Sequence, residues 1–142
     1  MSHINVGQVI KDYNFTLSYD EEFDTYEPDE DRLLDHLEPL VGGQGNVVLD
    51  YHSSEMFPER WAGGPQGTVI VLSATTEVLY DRLQLRGYSA RKVEENMDAE
   101  MHRVCEEEAY EAYASEKVFV FPNNSVEDMD SIVAFAKQRM GK

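Results

Sequence analysis

The sequence has little positive charge, one cysteine and no long hydrophobic run. Of its 142 residues, 12 are lysine or arginine and 28 are aspartate or glutamate, which gives a formal net charge of −16. Because phosphate groups would be repelled by this charge, direct binding to DNA or RNA is not expected. The apolar runs are much shorter than the roughly 20 residues of a membrane helix, so no membrane association is expected.

Cys105 is the only cysteine of the chain, so no disulfide can form within it. It lies in a helical pattern and is interpreted as a small core residue rather than a reactive thiol. No Cys/His cluster is present, which argues against a structural zinc site. The first residues lack the basic and apolar regions of a signal peptide, and a reducing compartment is the expectation.

The acidic excess has two interpretations, which the composition alone does not separate. It can serve solubility, or it can attract and select a basic protein partner. The acids are densest between Tyr19 and Asp31, where eight of them fall. We interpret that stretch as a solvated loop leading into a helix.

Short apolar runs alternate with helical patterns along the chain. Residues 47–49, 69–72 and 118–121 are continuous apolar runs, typical of strands buried on both faces of a parallel sheet. Residues 4–6 predict a fourth strand. The helical patterns comprise a leucine helix around Leu33 that Pro39 should end or kink, one from Thr75 or Thr76 to about Gly87, one from Ser89 through Cys105, and one from Val126 to Met140. The alternation predicts an α/β layered fold.

Asp50 follows directly on the apolar run 47–49. In a parallel α/β sheet the carboxyl ends of the strands face the ligand crevice, where a carboxylate can hold a water of a nucleotide-bound magnesium ion. The alternative is an aspartate that favours a turn. His52, two residues later, lies on the same side of an extended chain. It is either a phosphate- or water-contacting group or a surface histidine.

Arg86 belongs to a basic cluster that ends the second predicted helix. It can neutralise charge on a transferring phosphoryl group, or it can stabilise the helix C-terminus through the macrodipole. The glycine-rich segments 42–45 and 63–67 do not match a phosphate-binding loop, because no Gly-Lys-Ser/Thr follows them. We interpret them as turns.

Several segments, taken in order, resemble the adenylate kinase isoenzyme 6 family. Each is modest alone, but the ordered set is specific and covers nearly the whole chain, weakening after Tyr113. The segments are Ile4-Asn5-Val6-Gly7, Tyr19-Asp20-Glu21-Glu22, Asp29-Glu30-Asp31, Val48-Leu49-Asp50-Tyr51-His52, Phe57-Pro58-Glu59-Arg60-Trp61, Leu79-Tyr80-Asp81-Arg82-Leu83, Arg86-Gly87-Tyr88, Glu95-Asn96 and Glu100.

The resemblance implies a P-loop NTPase-like, adenylate kinase-like domain over residues 1–142, with a parallel sheet flanked by helices. It implies a nucleoside monophosphate kinase that converts ATP and AMP to two ADP, with ATPase activity and Mg²⁺ accompanying ATP. It also implies a basic small-subunit ribosomal protein as partner and a role in small ribosomal subunit maturation and rRNA processing. The implied locations are the nucleus and the cytoplasm.

Three side chains match functional positions of the family. By resemblance, Asp50 is the acid that serves magnesium through water, His52 is the histidine implicated in ATPase function, and Arg86 is the lid arginine that contacts ATP. Asp50 and His52 are therefore the expected catalytic pair.

Two segments match binding regions of the family. By resemblance, residues 5–28, with Asn5 and Gly7 at their start, form the monophosphate-binding region, and residues 85–95 form a short lid. One departure is Ser73, which stands where family members usually carry arginine, so a contact to phosphate or adenine is expected to be lost.

The larger departure concerns the start of the chain. Family members begin with a strand, a glycine-rich loop ending in Gly-Lys-Ser/Thr and a helix, and the sequence before Ile4 holds none of these. Since the absent strand is the centre of the family's sheet, we expect two open strand edges. We also expect negligible activity from these 142 residues alone. The alternatives are a non-catalytic acidic binding module for a basic ribosomal protein and an acidic α/β domain with no nucleotide role.

Overall fold

The computed structural model describes residues 2–22, 25–42, 46–64 and 67–140, so Asp24 and most of the glycine-rich segment 42–45 lie outside the described residues. Short 3₁₀ turns occupy Glu59–Ala62 and Ser115–Lys117. The longer elements are β1 (Ser2–Asn5), α1 (Val6–Tyr13), β2 (Thr16–Asp20), β3 (Thr25–Pro28), α2 (Glu30–Gly42), β4 (Val47–Asp50), β5 (Val69–Ser73), α3 (Thr76–Leu85), α4 (Ala90–Met101), α5 (Val104–Ala112), β6 (Val118–Pro122) and α6 (Val126–Met140).

The chain forms two compact units, Met1–His52 and Ser53–Lys142. The strands predicted from the three apolar runs are confirmed as β4, β5 and β6, and residues 2–5 form the short fourth strand. The prediction of a single domain over the whole chain stays a prediction. No helix in the described part of the chain combines the length and apolarity needed to cross a membrane.

In the first unit, β1 and β4 pair in parallel, with Ser2 opposite Val47 and Asn5 opposite Asp50. Helix α1 follows β1 at once. The core of this unit is small and consists of buried side chains from α1, α2 and the turn between α1 and β2: Val6, Ile10, Phe15, Leu33 and Leu37.

The acidic stretch from Tyr19 to Asp31 is not the solvated loop that its composition suggested. Residues 19–20 and 25–28 of this stretch belong to an antiparallel hairpin of β2 and β3, in which Tyr19 lies opposite Tyr26. Helix α2 already begins at Glu30. The strand propensity of the tyrosines and threonines outweighs the acids of the two strands, Asp20 and Glu27, which are exposed and need no burial.

Pro39 does not end α2, because the helix continues to Gly42; of the two predicted effects of this proline, the kink stays a prediction. The helix loses one hydrogen bond at the proline but is still anchored by Leu33 and Leu37, which are fully buried. Burial of these leucines against the core offsets the local cost of the proline.

In the second unit, β5 and β6 pair in parallel from Val69 opposite Val118 to Ser73 opposite Pro122. A cluster of Val71, Ala109, Tyr113 and Val118, with Ala62, forms the core beside this pair. Helix α6 contacts β6 through Phe135, whose ring centroid lies 4.8 Å from that of Phe119 and 5.0 Å from that of Phe121.

The long third helix predicted from Ser89 through Cys105 is two helices, α4 and α5. Ser89 caps α4 as predicted, accepting from the Lys92 amide at 3.2 Å. The break is at Arg103, which adopts the left-handed conformation with φ 52° and ψ 42°. Cys105, in the first turn of α5, is exposed. Its interpretation as a core residue is therefore wrong.

Each parallel pair stands as a two-stranded sheet among the described residues. Within that part of the chain, β4 has no strand on the side away from β1, and β5 has none on the side away from β6. Val48 is 38% exposed and Leu72 is 50% exposed, although both lie in runs that predicted strands buried on both faces. That the free edges of β4 and β5 flank one absent central strand stays a prediction.

Candidate functional site

The carboxyl ends of β1 and β4 lie side by side. Asn5 and Asp50 are register partners at the last position of the two strands. Because the strands are parallel, both side chains face the edge where ligands collect in α/β sheets. The structure thus brings together two of the residues that the sequence singled out from positions 45 residues apart.

Asp50 also contacts His3, which the sequence gave no reason to select. Nε2 of His3 lies 3.2 Å from Oδ2 of Asp50, and the two side chains are 60% and 61% exposed. His3 is two positions before Asn5 on β1, so alternation places it on the same face of the pair. An exposed pair of this kind contributes little to stability, but it gives Oδ2 of the Asp50 carboxylate a partner.

Asn5 has a clear structural role at the start of α1. Its Oδ1 accepts from the backbone N–H of Gln8 at 3.1 Å, which makes it the N-cap of the helix. Gly7 lies in the first turn, and a Cβ there would approach Asn5 Oδ1 at 3.5 Å, an ordinary contact. The N-terminus of α1 therefore opens beside Asp50 at the same sheet edge.

His52 follows β4 and is exposed. Its ring centroid lies 4.2 Å from that of the neighbouring Tyr51. Burial of the phenol, followed by the nearby charge of Glu30, raises the pKa of Tyr51 above its ordinary value. Tyr51 therefore stays neutral at physiological pH and presents a polar but uncharged group next to the two predicted catalytic residues.

Arg86 belongs to the second unit, where it caps the C-terminus of α3. The turn that follows needs Gly87, whose φ of +73° is unfavourable for residues with a Cβ. The guanidinium of Arg86 lies 5.9 Å from the ring centroid of Tyr88, and the Lys92 ammonium lies 4.5 Å from the same ring. Two cations thus share one aromatic ring in the segment that resembles the lid.

A cavity of about 580 Å³ opens at the carboxyl end of β5. It is lined by Ser73 and Thr75 on one side and by Met97, Arg103 and Cys105 on the other. Glu100, also on the wall, accepts from the backbone N–H of Ala74 at 3.1 Å. The sequence gave no sign of this cavity, because its walls come from five separate elements, β5, α3, α4, α5 and β6.

The thiol of Cys105 is a poor nucleophile in this setting. Partial burial by neighbouring atoms, then the charges of Glu108 and Glu100, raise the pKa of the thiol above its ordinary value. The raised pKa supports the sequence interpretation that Cys105 is not reactive.

Asp50 could serve magnesium only if the other ligands of the ion came from water and nucleotide. Carboxylate oxygen is a ligand type that Mg²⁺ favours, and Mg²⁺ commonly keeps waters and phosphate oxygens as its other ligands. Among the described residues no group of three or more His, Cys, Asp or Glu side chains could hold a metal ion. An ion here would therefore depend on Asp50, water and nucleotide.

Comparison with known proteins places this geometry in a family. A family model for an AAA domain matches residues 1–103. The chain is 39% identical to the adenylate kinase isoenzyme 6 homolog of Caenorhabditis elegans, over 89% of this chain and 68% of that protein. It is 36% identical to the homolog of Schizosaccharomyces pombe, over 92% of this chain and 72% of that protein.

A more distant relative is the putative adenylate kinase of Methanocaldococcus jannaschii, 27% identical over 97% of this chain and 75% of that protein. The matches extend through both compact units, and the parallel strand pairs agree with the P-loop NTPase-like, adenylate kinase-like α/β fold that the sequence predicted. This chain belongs to the adenylate kinase isoenzyme 6 family.

Proposed function

We propose that this chain supplies most of a nucleoside monophosphate kinase that converts ATP and AMP to two ADP and also hydrolyses ATP. The observation that carries the proposal is the register of β1 and β4, which sets Asn5 beside Asp50 at the carboxyl edge of a parallel pair. Membership of a family whose relatives bear the name adenylate kinase supports the same reaction.

The reaction requires one bond to form and one to break. A phosphate oxygen of AMP attacks the γ-phosphorus of ATP, the bond from that phosphorus to the β–γ bridging oxygen breaks, and ADP leaves. Water in place of AMP gives ADP and inorganic phosphate. Little covalent chemistry falls to the protein, so catalysis depends on positioning and charge.

Asp50 would hold Mg²⁺ through a water, and the ion would neutralise phosphate charge when it is bound. His3 orients the carboxylate by its contact with Oδ2. His52 orients the attacking water in the ATPase reaction. Arg86 contacts ATP from the lid, residues 85–95, and its charge offsets charge on the phosphates.

Residues 5–28 bind the monophosphate, with Asn5 and Gly7 at the start of α1. The free backbone N–H groups of a helix N-terminus attract a phosphate group. Ser73 leaves the cavity beside β5 without the arginine common in the family. We attribute the phosphoryl-cradling role to a Gly-x-x-x-x-Gly-Lys-Ser/Thr loop, which none of these 142 residues provides.

In the cell, the proposed role is maturation of the small ribosomal subunit, including rRNA processing, in the nucleus and cytoplasm. The family resemblance and the strongly acidic composition support it, since a ribosomal protein partner would be basic.

An activity assay tests the kinase proposal. The purified 142-residue chain is compared with the same chain joined to the strand–loop–helix unit of the Caenorhabditis elegans relative. We expect no ADP formation from ATP and AMP above background for the first and magnesium-dependent ADP formation for the second. Activity in the first would contradict the assigned role of the loop, and a well-folded but inactive second protein would contradict the kinase proposal.

A second candidate function is a non-catalytic acidic module that binds a basic ribosomal protein. The observation that favours it is the segment from Asp12 to Asp31, which contains no lysine, arginine or histidine among its many acids. A pull-down with a basic small-subunit ribosomal protein over a salt series tests it. Binding should weaken as salt rises, and binding that is absent at low salt or insensitive to salt contradicts the module.

A further inference from the structure

The hairpin of β2 and β3 exposes an aromatic face. Tyr19 and Tyr26 lie opposite one another, with ring centroids 4.9 Å apart. They are 46% and 61% exposed, and Leu17, on the same strand as Tyr19, is 62% exposed. Large apolar side chains that stay in water as a group mark interaction surfaces more often than isolated ones do.

Acidic side chains of the same hairpin lie beside its aromatic face. By alternation along the strands, Asp20 and Glu27 point to the opposite face from Tyr19 and Tyr26. Asp20 and Glu22 form the turn end, where the Asp20 carboxylate accepts from the Glu22 backbone N–H at 2.9 Å. Glu27 lies on β3 and accepts from the Ser18 hydroxyl at 3.2 Å. No basic residue lies between Asp12 and Asp31 in the sequence, so this segment supplies no cation of its own.

The first compact unit contains an arginine that lies near both an aromatic ring and a carboxylate. The guanidinium of Arg32 lies 5.1 Å from the ring centroid of Phe15, and its Nη1 lies 3.8 Å from Oδ2 of Asp29. One arginine thus combines a cation–π contact with a carboxylate contact. The hairpin offers two exposed rings on one face, with carboxylates at its turn end and on the opposite face.

We propose that the β2–β3 hairpin is a docking surface for an arginine-bearing basic segment of a partner protein, with guanidinium groups seated on Tyr19 and Tyr26. The proposal rests on the second candidate function and adds where the partner binds and which side chain it uses. Charge complementarity selects the occupant, because a second copy of a chain with net charge −16 and any nucleic acid would be repelled.

Arginine is favoured over lysine at this surface. A planar guanidinium stacks on aromatic rings, can donate N–H groups to two carboxylate oxygens at once, and is less strongly hydrated than an ammonium group. A lysine-bearing segment would keep the ionic attraction but lose most of the stacking.

Binding of two short fluorescent peptides tests the proposal, one alternating arginine with serine and the other alternating lysine with serine. We expect the arginine peptide to bind about threefold more tightly or better. In the isotope-labelled chain, the arginine peptide should shift backbone amide signals of residues 16–22 and 25–28 and leave those of α5 unchanged. Equal binding of the two peptides together with unshifted hairpin signals would overturn the proposal.

Matched variants separate the rings from the charges. The double variant Tyr19→Ala, Tyr26→Ala should weaken arginine-peptide binding by about tenfold, whereas Tyr19→Phe, Tyr26→Phe should change it less than about twofold because the rings remain. Tyr80→Ala, an exposed tyrosine of α3, should have no effect. Unchanged binding by the alanine double variant would contradict the proposal, and the phenylalanine pair keeps the test valid if the alanines unfold the hairpin.

Two further results distinguish the hairpin proposal from the acidic-module function on which it rests. Glu21→Gln, Glu22→Gln should weaken binding more than Glu106→Gln, Glu107→Gln in α5, although each pair removes two charges. If only the α5 pair weakens binding, the acidic module stands and the hairpin proposal fails. If the peptides do not bind at low salt, both fail.

Discussion

The two compact units are both acidic but differ in how many basic residues they carry. Residues 1–52 contain 12 acids and only two basic residues, Lys11 and Arg32, a net charge of −10. Residues 53–142 contain 16 acids and 10 basic residues, a net charge of −6. The first unit holds the carboxylate of Asp50 and the acidic hairpin, while the second holds the cationic turn around Arg86.

This difference separates the two kinds of charge that phosphoryl transfer needs. A metal requires carboxylate or water oxygens, which the strand edge of the first unit provides. Phosphates require cations, which the turn after α3 provides. Under the proposed function, the acid expected to serve the metal and the arginine expected to contact ATP belong to different units, so changes to each should have separable effects.

The largest expected effect on stability is truncation of a buried leucine. Leu33 in α2 is fully buried, and Leu83 in α3 is 2% exposed. We expect Leu33→Ala or Leu83→Ala to lower the free energy of unfolding of its own unit by about 2–5 kcal/mol. Hydrogen exchange should show amide protection lost mainly in the mutated unit. Equal loss in both units would show that they unfold as one and would break the comparison.

Tyr113 should matter next most, and only for the second unit. Its buried hydroxyl lies 2.7 Å from the Ser54 carbonyl oxygen and 3.0 Å from that of Phe57. Tyr113→Phe should lower the free energy of unfolding by about 1–3 kcal/mol, because the carbonyls lose their donor. Urea unfolding measures it, with the exposed Tyr110→Phe as control. A stability equal to that of the control would contradict the account.

The N-caps of α1 and α3 offer a matched pair with smaller effects. Asn5 caps α1, and Thr75 caps α3 by accepting from the Val78 amide at 3.4 Å. Replacing either by alanine should cost about 1 kcal/mol of stability. In the chain joined to the loop-bearing unit, Asn5→Ala should also raise the KM for AMP, while Thr75→Ala should not. Identical kinetics for the two variants would remove Asn5 from the monophosphate site.

The smallest predicted effect on stability comes from the ionisation of two phenols, those of Tyr113 and Tyr51. Burial, then Glu59, raises the pKa of Tyr113 above its ordinary value of 10.0, and burial, then Glu30, does the same for Tyr51. The neutral phenols therefore stabilise the fold fully below pH 10.0, and this stability is lost as pH rises through the raised values. Unfolding midpoints measured against pH should fall there. In Tyr113→Phe, the unfolding midpoint of the second unit should fall less with rising pH than in the parent chain. A pH dependence equal to that of the parent would contradict the assignment.

Much of the fold could be predicted because its strands are continuous apolar runs. Residues 47–49, 69–72 and 118–121 have strand propensity and no competing helical period, so β4, β5 and β6 followed directly. The capping residues Thr75 and Ser89 were also found, because a side-chain oxygen before a helical stripe has one common use.

The rest depended on contacts that no local pattern carries. Met101 to Val104 contain no glycine or proline, so nothing predicted the break at Arg103 or the exposure of Cys105. The hairpin was not predicted, because its many acidic residues favoured the interpretation as a solvated loop. His3 and Asp50 meet across 47 residues, and only the register of β1 on β4 brings them together. Asp50, His52 and Arg86 were singled out by sequence, and their roles stay predictions.

The central proposal is that metal–nucleotide chemistry takes place at the carboxyl edge of β1 and β4. A single substitution at Asp50 tests it most directly. In the chain joined to the loop-bearing unit, Asp50→Asn is compared with Asp35→Asn, an exposed acid of α2. We expect Asp50→Asn to lower kcat for ADP formation by about 100-fold or more, with the fold intact, and Asp35→Asn to leave it unchanged. An Asp50→Asn protein that keeps the kcat of its parent would contradict the account.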